Sequence, residues 1–127
     1  MIGLLRHPAA LYRECDLFVL PSETEGTSMS MLEAMASGVC CLATSVGGNA
    51  ALLNYGACGI LVQPEIDARA LAAAIEAALL DGTERRKRGA AAREWVLRRH
   101  NEDGLLDQYE AVYGLPATST MCMIPRR

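Results

Sequence analysis

Three short apolar runs constrain the fold of this chain more than any other feature. They are Asp16-Leu-Phe-Val-Leu20, Val39 to Thr44, and Gly59-Ile-Leu-Val-Gln63. Runs of this length suit strands buried on both faces, and such strands occur in parallel sheets covered by helices. Pro21-Ser22 closes the first run and Pro64 stops the third. Between and after them lie segments of helical character. Residues 8–14 open with proline, which is tolerated in a first helical turn. Residues 28–37 end at Gly38, a natural helix terminator. Residues 50–53 add a helical turn after Ser45-Val-Gly-Gly-Asn49. The expected fold is therefore α/β with a parallel sheet. A sheet of three strands is thin for that class, so the chain is expected either to expose an edge or to form part of something larger.

The second half is helical. Asp67 is placed to cap a helix running to Leu80, with Leu71, Ala74, Ile75, Ala78 and Leu79 on one face. Asp81-Gly82-Thr83 interrupts it, and Thr83 is the expected cap of a helix over 84–99 in which Trp95 faces a core. Residues 84–100 hold seven Arg or Lys against two Glu. Such a helix can touch anionic lipid, but a solvated basic face is the simpler expectation. A further helix is expected over 103–113, and residues 114–127 read as a loosely ordered tail.

Composition removes several classes. A chain of 127 residues forms one domain. A net charge of −3 argues against nucleic acid as the main partner. No apolar run approaches the length of a membrane span. The N-terminal Met-Ile-Gly-Leu-Leu-Arg-His-Pro does not read as a signal peptide. The five cysteines, 15, 40, 41, 58 and 122, include no Cys-x-x-Cys pair. They are expected to be reduced core thiols of a cytosolic protein, with Cys40 and Cys41 on opposite faces of a strand. His7 and His100 are expected at the surface, without metal-ligand spacing. Met29, Met31 and Met35 are expected as core filler.

Ligands of open parallel sheets sit at the carboxyl ends of the strands. The loop from Pro21 to Thr27 lies at that end and feeds a helix, whose first N–H groups and dipole favour an anion. Gly26 permits close backbone approach, and Thr27, Ser28 and Ser30 add hydroxyls. Two carboxylates bracket this turn. Glu33 falls near Met29 and Ala36 on the helical wheel, beside the apolar stripe, so it is expected either partly buried against a polar ligand or bent outward to water; for the first case, one carboxylate accepts both hydroxyls of a vicinal diol such as ribose. Glu25 repels phosphate and so addresses a neutral polyol beside it. Phosphates at the helix start, ribose at Glu33 and sugar at Glu25 describe a nucleotide sugar. A glycosidase-like carboxylate pair is disfavoured by the anion-seeking helix start between the two.

The string Glu25-Gly-Thr-Ser-Met-Ser-Met-Leu-Glu33 resembles the E-x7-E motif of family 4 (group 1) retaining glycosyltransferases. Asp16-Leu-Phe-Val-Leu-Pro-Ser22, Glu33-Ala-Met-Ala-Ser-Gly38, Ala43-Thr44 with Gly47-Gly48, and Gly59-Ile-Leu-Val are similar to that family's pattern in order and spacing, so that the likeness runs over residues 3–113. The resemblance implies a partial Rossmann-like sheet, half of the C-terminal nucleotide-sugar-binding domain of a GT-B fold, followed by C-terminal helices and the 114–127 tail. It implies transfer of a sugar from a nucleotide-diphosphate donor to a glycan, lipid or small-molecule acceptor with retention of configuration, in polysaccharide or cell-envelope glycan synthesis. Glu25 is implied as the catalytic residue at the donor sugar; Gly26, Thr27, Ser28, Met29 and Ser30 are implied to meet sugar and diphosphate, and Glu33 the ribose. No metal and no cofactor are implied. The acceptor would bind through a missing N-terminal domain, and the location would be the cytoplasm, within reach of the inner membrane face.

The sequence departs from that pattern. The acceptor domain and the first half of the donor domain, with its basic diphosphate-binding residues, are absent, and Arg6 and Arg13 do not replace them. Cys40 stands in place of proline, and Ala51 in place of an acidic residue after the Gly-Gly turn. The chain alone is therefore expected to be inactive. A truncated non-catalytic remnant or interaction module, or a sugar-nucleotide epimerase of similar architecture, are the alternatives.

Overall fold

The structure is a computed structural model that describes residues 8–100. The expected 103–113 helix, the 114–127 tail, His7, Arg6 and Cys122 lie outside them. Residues through Leu97 group into one compact unit, described below; of the second unit, the described part is Arg98 to His100.

Helix α1 spans Pro8–Arg13, strand β1 Phe18–Leu20, helix α2 Met29–Ala36 and strand β2 Cys41–Thr44. Helix α3 covers Asn49–Leu52, β3 Ile60–Val62, α4 Ala68–Leu80 and α5 Gly82–Arg99. The three strands form one sheet in the order β1-β2-β3, and both pairings are parallel. Phe18 lies beside Cys41 and Leu20 beside Ala43, while Leu42 lies beside Ile60 and Thr44 beside Val62. The parallel α/β expectation holds. The strands are shorter than the apolar runs because only these residues find ladder partners.

Alternation of side chains divides the sheet. Cys41 and Ala43 face a core made with Met31, Ala34 and Met35 of α2, Leu53, Cys58, and Ala92 and Val96 of α5. Trp95 packs half-buried against the same core, as expected. All four residues of β2 are buried, whereas β1 and β3 are half-buried, as befits a centre strand and two flanking ones. Removing a side chain such as Met31, Met35 or Leu53 from water contributes about 1.5–3 kcal/mol, and all three are fully buried.

Helix α2 begins because the side chain of Ser28 accepts from the Met31 N–H at 3.3 Å. It ends in a Schellman arrangement: Gly38 takes φ +83°, its N–H donates to Met35 O, and the Val39 N–H donates to Ala34 O. Asp67 caps α4 through the Ala70 N–H, as expected. The next cap is Asp81 rather than Thr83: its carboxylate accepts from the Glu84 N–H at 2.9 Å, and α5 starts at Gly82. A carboxylate two residues earlier outcompetes the hydroxyl for the free N–H groups.

Two further expectations are corrected. Met29 is not core filler; it is 66% exposed at the first position of α2, while Met31 and Met35 are fully buried. The basic helix is not simply a solvated face. Arg85 donates to the Ala78 and Leu79 carbonyls at the end of α4 and to Asp16. Arg88 donates to Gly56 O and Gly59 O, and Arg93 to Ala36 O at the end of α2. These guanidinium groups satisfy carbonyls that helix ends and loops leave open. In α4, only Ala78 of the expected apolar face is buried; Leu71, Ala74 and Ile75 are half-buried and Leu79 is exposed.

Candidate functional site

The carboxyl ends of β1 and β2 lie side by side, and the loops that leave them meet. The N–H of Gly48 donates to Gly26 O at 3.2 Å. Gly47 holds φ +50°, and a Cβ there would stand 1.7 Å from Glu25 O; a Cβ on Gly48 would stand 2.8 Å from Gly26 O. The Gly47-Gly48 pair is thus required by its own neighbour: the turn packs backbone to backbone on Glu25-Gly26. Helix α3 starts at Asn49, one residue before the expected Ala50, because this turn delivers the chain directly into it.

A set of side chains joins the two loops. Asn49 is fully buried and its Nδ2 donates to Thr44 O at 3.0 Å. The Thr44 hydroxyl donates to Ser22 O at 2.6 Å. The Ser22 hydroxyl donates to Glu25 Oε2 at 3.0 Å. Glu25 is half-buried in this arrangement, whereas Gly26 and Thr27 are exposed. An added Cβ at Gly26 would meet nothing within 4 Å, so the space above that residue is open.

At the start of α2, Ser28 is buried as the cap and its hydroxyl lies 3.1 Å from that of Ser30. Met29 and Ser30 are exposed, and their N–H groups, in the first helical turn, have no carbonyl to bond within the helix. Glu33 lies one turn further along, also exposed, with its Oε2 accepting from the Tyr12 hydroxyl of α1 at 3.4 Å. Burial, and next the charge of Glu33, push the Tyr12 phenol above its ordinary value. Glu25, Gly26, Thr27, Ser28, Met29, Ser30 and Glu33 thus surround one helix start at the strand ends. Ala51 is exposed on α3 and brings no polar group there. Among the described residues no group of His, Cys, Asp and Glu is arranged to hold a metal ion.

Sequence reasoning assigned no site role to Tyr12, nor to Ser22, Thr44 and Asn49, which it named only as parts of longer strings. Thr44 carried one usable signal, as a polar residue closing an otherwise apolar strand. Cys40 is buried where α5 crosses the amino end of β2; burial raises its thiol pKa, and Arg88 and Arg85 offset part of that rise. No described helix is long and apolar enough to cross a membrane.

The same architecture recurs in GT-B glycosyltransferases. Sucrose-phosphate synthase of Thermosynechococcus elongatus superposes with a TM-score of 0.81 at 33% identity, over 89% of this chain and 29% of that one. Anabaena HepE in complex with UDP superposes at 0.74 and 24% identity, over 82% of this chain and 29% of that one, a likeness of fold. The profile of the family described as glycosyl transferases group 1 matches residues 2–95, and the chain belongs to that family. Among its relatives, N-acetyl-alpha-D-glucosaminyl L-malate synthase of Bacillus anthracis is 34% identical over 88% of this chain, and the GDP-mannose-dependent alpha-mannosyltransferase of Mycolicibacterium smegmatis 39% identical over 84%. The chain spans 29% and 28% of the length of these two proteins.

Proposed function

We propose that this chain supplies the donor half of a glycosyl-transfer site and binds a nucleotide-diphosphate sugar at the start of α2. The observation that carries the reading is the contact of Glu25-Gly26 with Gly47-Gly48 at the strand ends, with Glu25 and Glu33 on either side of the first turn of α2, where Ser28 caps the Met31 N–H and the exposed Met29 and Ser30 follow it. The diphosphate meets the amides from Gly26 to Ser30, where N–H groups and the helix dipole converge. Glu33 accepts the two ribose hydroxyls, and Glu25 accepts from hydroxyls of the donor sugar and is the catalytic residue. The open space above Gly26 suits a ligand lying close to the backbone. No metal ion is required for this binding.

Transfer then proceeds with retention. The bond from the anomeric carbon to the phosphate oxygen breaks, and the bond to the acceptor oxygen forms on the same face. The acceptor proton passes to the departing phosphate. The acceptor, a glycan, lipid or small molecule, enters from a domain outside this chain, and a place in polysaccharide or envelope-glycan synthesis suits the reading.

Calorimetry of the full chain with nucleoside diphosphates tests the proposal. Binding at about micromolar to millimolar Kd is expected, weakened by Glu33→Gln. Absence of binding, or indifference to that substitution, would favour the non-catalytic interaction module instead, a reading supported by two three-residue flanking strands that, among the described residues, each pair on one side only. In a protein supplying the rest of the cleft, Glu25→Ala removes transfer and leaves the fold intact.

A further inference from the structure

The carboxylate of Glu25 is not left to choose its own rotamer. Three hydrogen bonds run in series toward it: Asn49 Nδ2 to Thr44 O at 3.0 Å, Thr44 Oγ1 to Ser22 O at 2.6 Å, and Ser22 Oγ to Glu25 Oε2 at 3.0 Å. The first two tie the exit of β2 to the exit of β1. The third carries that tie to the one half-buried carboxylate of the site. Thr44 and Asn49 are buried, at 2% and 0% exposure. The far end of the series is therefore held by the core and only the near end faces the loop.

A glutamate side chain has several rotatable bonds, and fixing them when a ligand arrives opposes binding. A hydroxyl that already holds one carboxylate oxygen removes part of that cost. It also distinguishes the two oxygens: Oε2 accepts from Ser22, whereas Oε1 accepts no hydrogen bond among the described residues and keeps both lone pairs for a ligand. Supporting shells of this kind set the precision of a site.

We infer that Ser22 is a positioning residue for Glu25, kept in register by Thr44 from the neighbouring strand, so that Glu25 offers Oε1 to a hydroxyl of the donor sugar. The inference rests on the donor-site reading above and deepens it by assigning the residues that orient its catalytic carboxylate. It concerns the sugar alone, since neither Ser22 nor Thr44 lies at the start of α2. Its signature is therefore the increment in affinity that a hexose adds to a nucleoside diphosphate.

The test measures that increment by calorimetry on the full chain, with UDP and GDP against UDP-glucose, UDP-N-acetylglucosamine and GDP-mannose. Ser22→Ala is expected to reduce the hexose increment by about fivefold, the scale of one hydrogen bond, and to leave the affinity for the nucleoside diphosphate unchanged. Ser22→Thr, which keeps the hydroxyl, restores the increment. In a Glu25→Gln background, Ser22→Ala has a smaller effect, because the two act as a unit. Thr44→Val gives the same pattern as Ser22→Ala; if Thr44→Val unfolds the chain in urea titrations, Ser22→Ala decides alone. A parallel loss of nucleoside diphosphate and hexose affinity assigns Ser22 a merely structural role and overturns the inference. So does full additivity with Glu25→Gln. A hexose increment that ignores Glu25→Gln while the diphosphate still binds overturns the role of Glu25 itself, and with it the inference. Absence of all nucleotide binding overturns both.

Discussion

The hydroxyl of Tyr12 on α1 donates to Glu33 Oε2 on α2 across 3.4 Å, and the Tyr12 ring meets Phe18 of β1 edge-on with centroids 5.9 Å apart. One aromatic residue thus links a short helix, the first strand and a carboxylate of the candidate site. Burial raises its phenol pKa most, and the Glu33 charge raises it further. Removing that charge with Glu33→Gln is expected to lower the Tyr12 pKa while leaving it above the ordinary tyrosine value, because burial persists. NMR titration of 13C-labelled tyrosine follows this directly. A Tyr12 titration identical in both proteins would show that the pair does not interact in solution.

Gly47→Ala is expected to destabilise the chain by at least about 2 kcal/mol, since a non-glycine residue at left-handed φ costs on the order of 1–3 kcal/mol before any clash. Here the new Cβ would also overlap Glu25 O. Urea unfolding measures the loss, and nucleoside diphosphate binding is expected to fall with it because the Glu25-Gly26 backbone must move. Stability within error of the parent would mean that the two loops do not touch as described.

Gly89→Ala sets two effects against each other. Inside a helix, alanine is favoured over glycine by about 1 kcal/mol. A Cβ at Gly89, however, would lie 2.2 Å from Gly38 O, where α5 crosses the amino end of β2. Overpacking of that kind costs about 1–3 kcal/mol, and backbone on the far side gives little room for relief. Net destabilisation is expected in thermal unfolding. A stabilised protein would place α5 further from β2.

Arg88→Met keeps the aliphatic stem but leaves the Gly56 and Gly59 carbonyls without their donor and removes the Glu84 ion pair. A loss of about 1–3 kcal/mol is expected. Lys87→Met, which removes an exposed ion pair at 3.7 Å, serves as the comparison and is expected to change nothing measurable. Equal effects of the two substitutions would return the basic helix to the status of a solvated face.

Alkaline stability depends on Cys41, whose thiol burial pushes from 9.0 up to about 12. Below pH 9 both folded and unfolded chains keep this thiol protonated, and its contribution is fully present. As pH rises from there toward about 12, the unfolded chain releases the proton while the folded chain cannot, so stability falls. Cys40 and Tyr12, both raised by burial, act in the same direction. The urea midpoint is expected to drop as pH rises from 9.0 toward about 12, and Cys41→Ala to flatten the drop. An unaltered slope in that variant would remove Cys41 from the account.

Much of the architecture was present in local patterns. Apolar runs closed by Pro21 and Pro64 marked strands, and Asp67 and Gly38 marked helix ends, because backbone hydrogen bonding and capping act within a few residues. The motif from Glu25 to Glu33 likewise located the candidate site, since its parts lie within one loop and one helix. The misreadings share a cause. Thr83 and Asp81 compete for the same free N–H groups, and Met29 and Met31 differ only in which side of α2 they occupy. The roles of Arg85, Arg88 and Arg93 depend on carbonyls supplied by other elements, at separations from 6 to 57 residues.

By itself, then, the sequence determined the element types, the parallel class and the segment that holds the two carboxylates, all consequences of short-range chemistry. Tertiary structure alone decided how Glu25 is held. Ser22 is three residues from Glu25, but Thr44 reaches Ser22 across 22 positions of sequence, and Gly47 is pressed on Glu25 by the parallel register of β1 and β2. Such contacts arise only when distant strands align, because their energy depends on atoms brought within hydrogen-bond distance by folding rather than on neighbours along the chain.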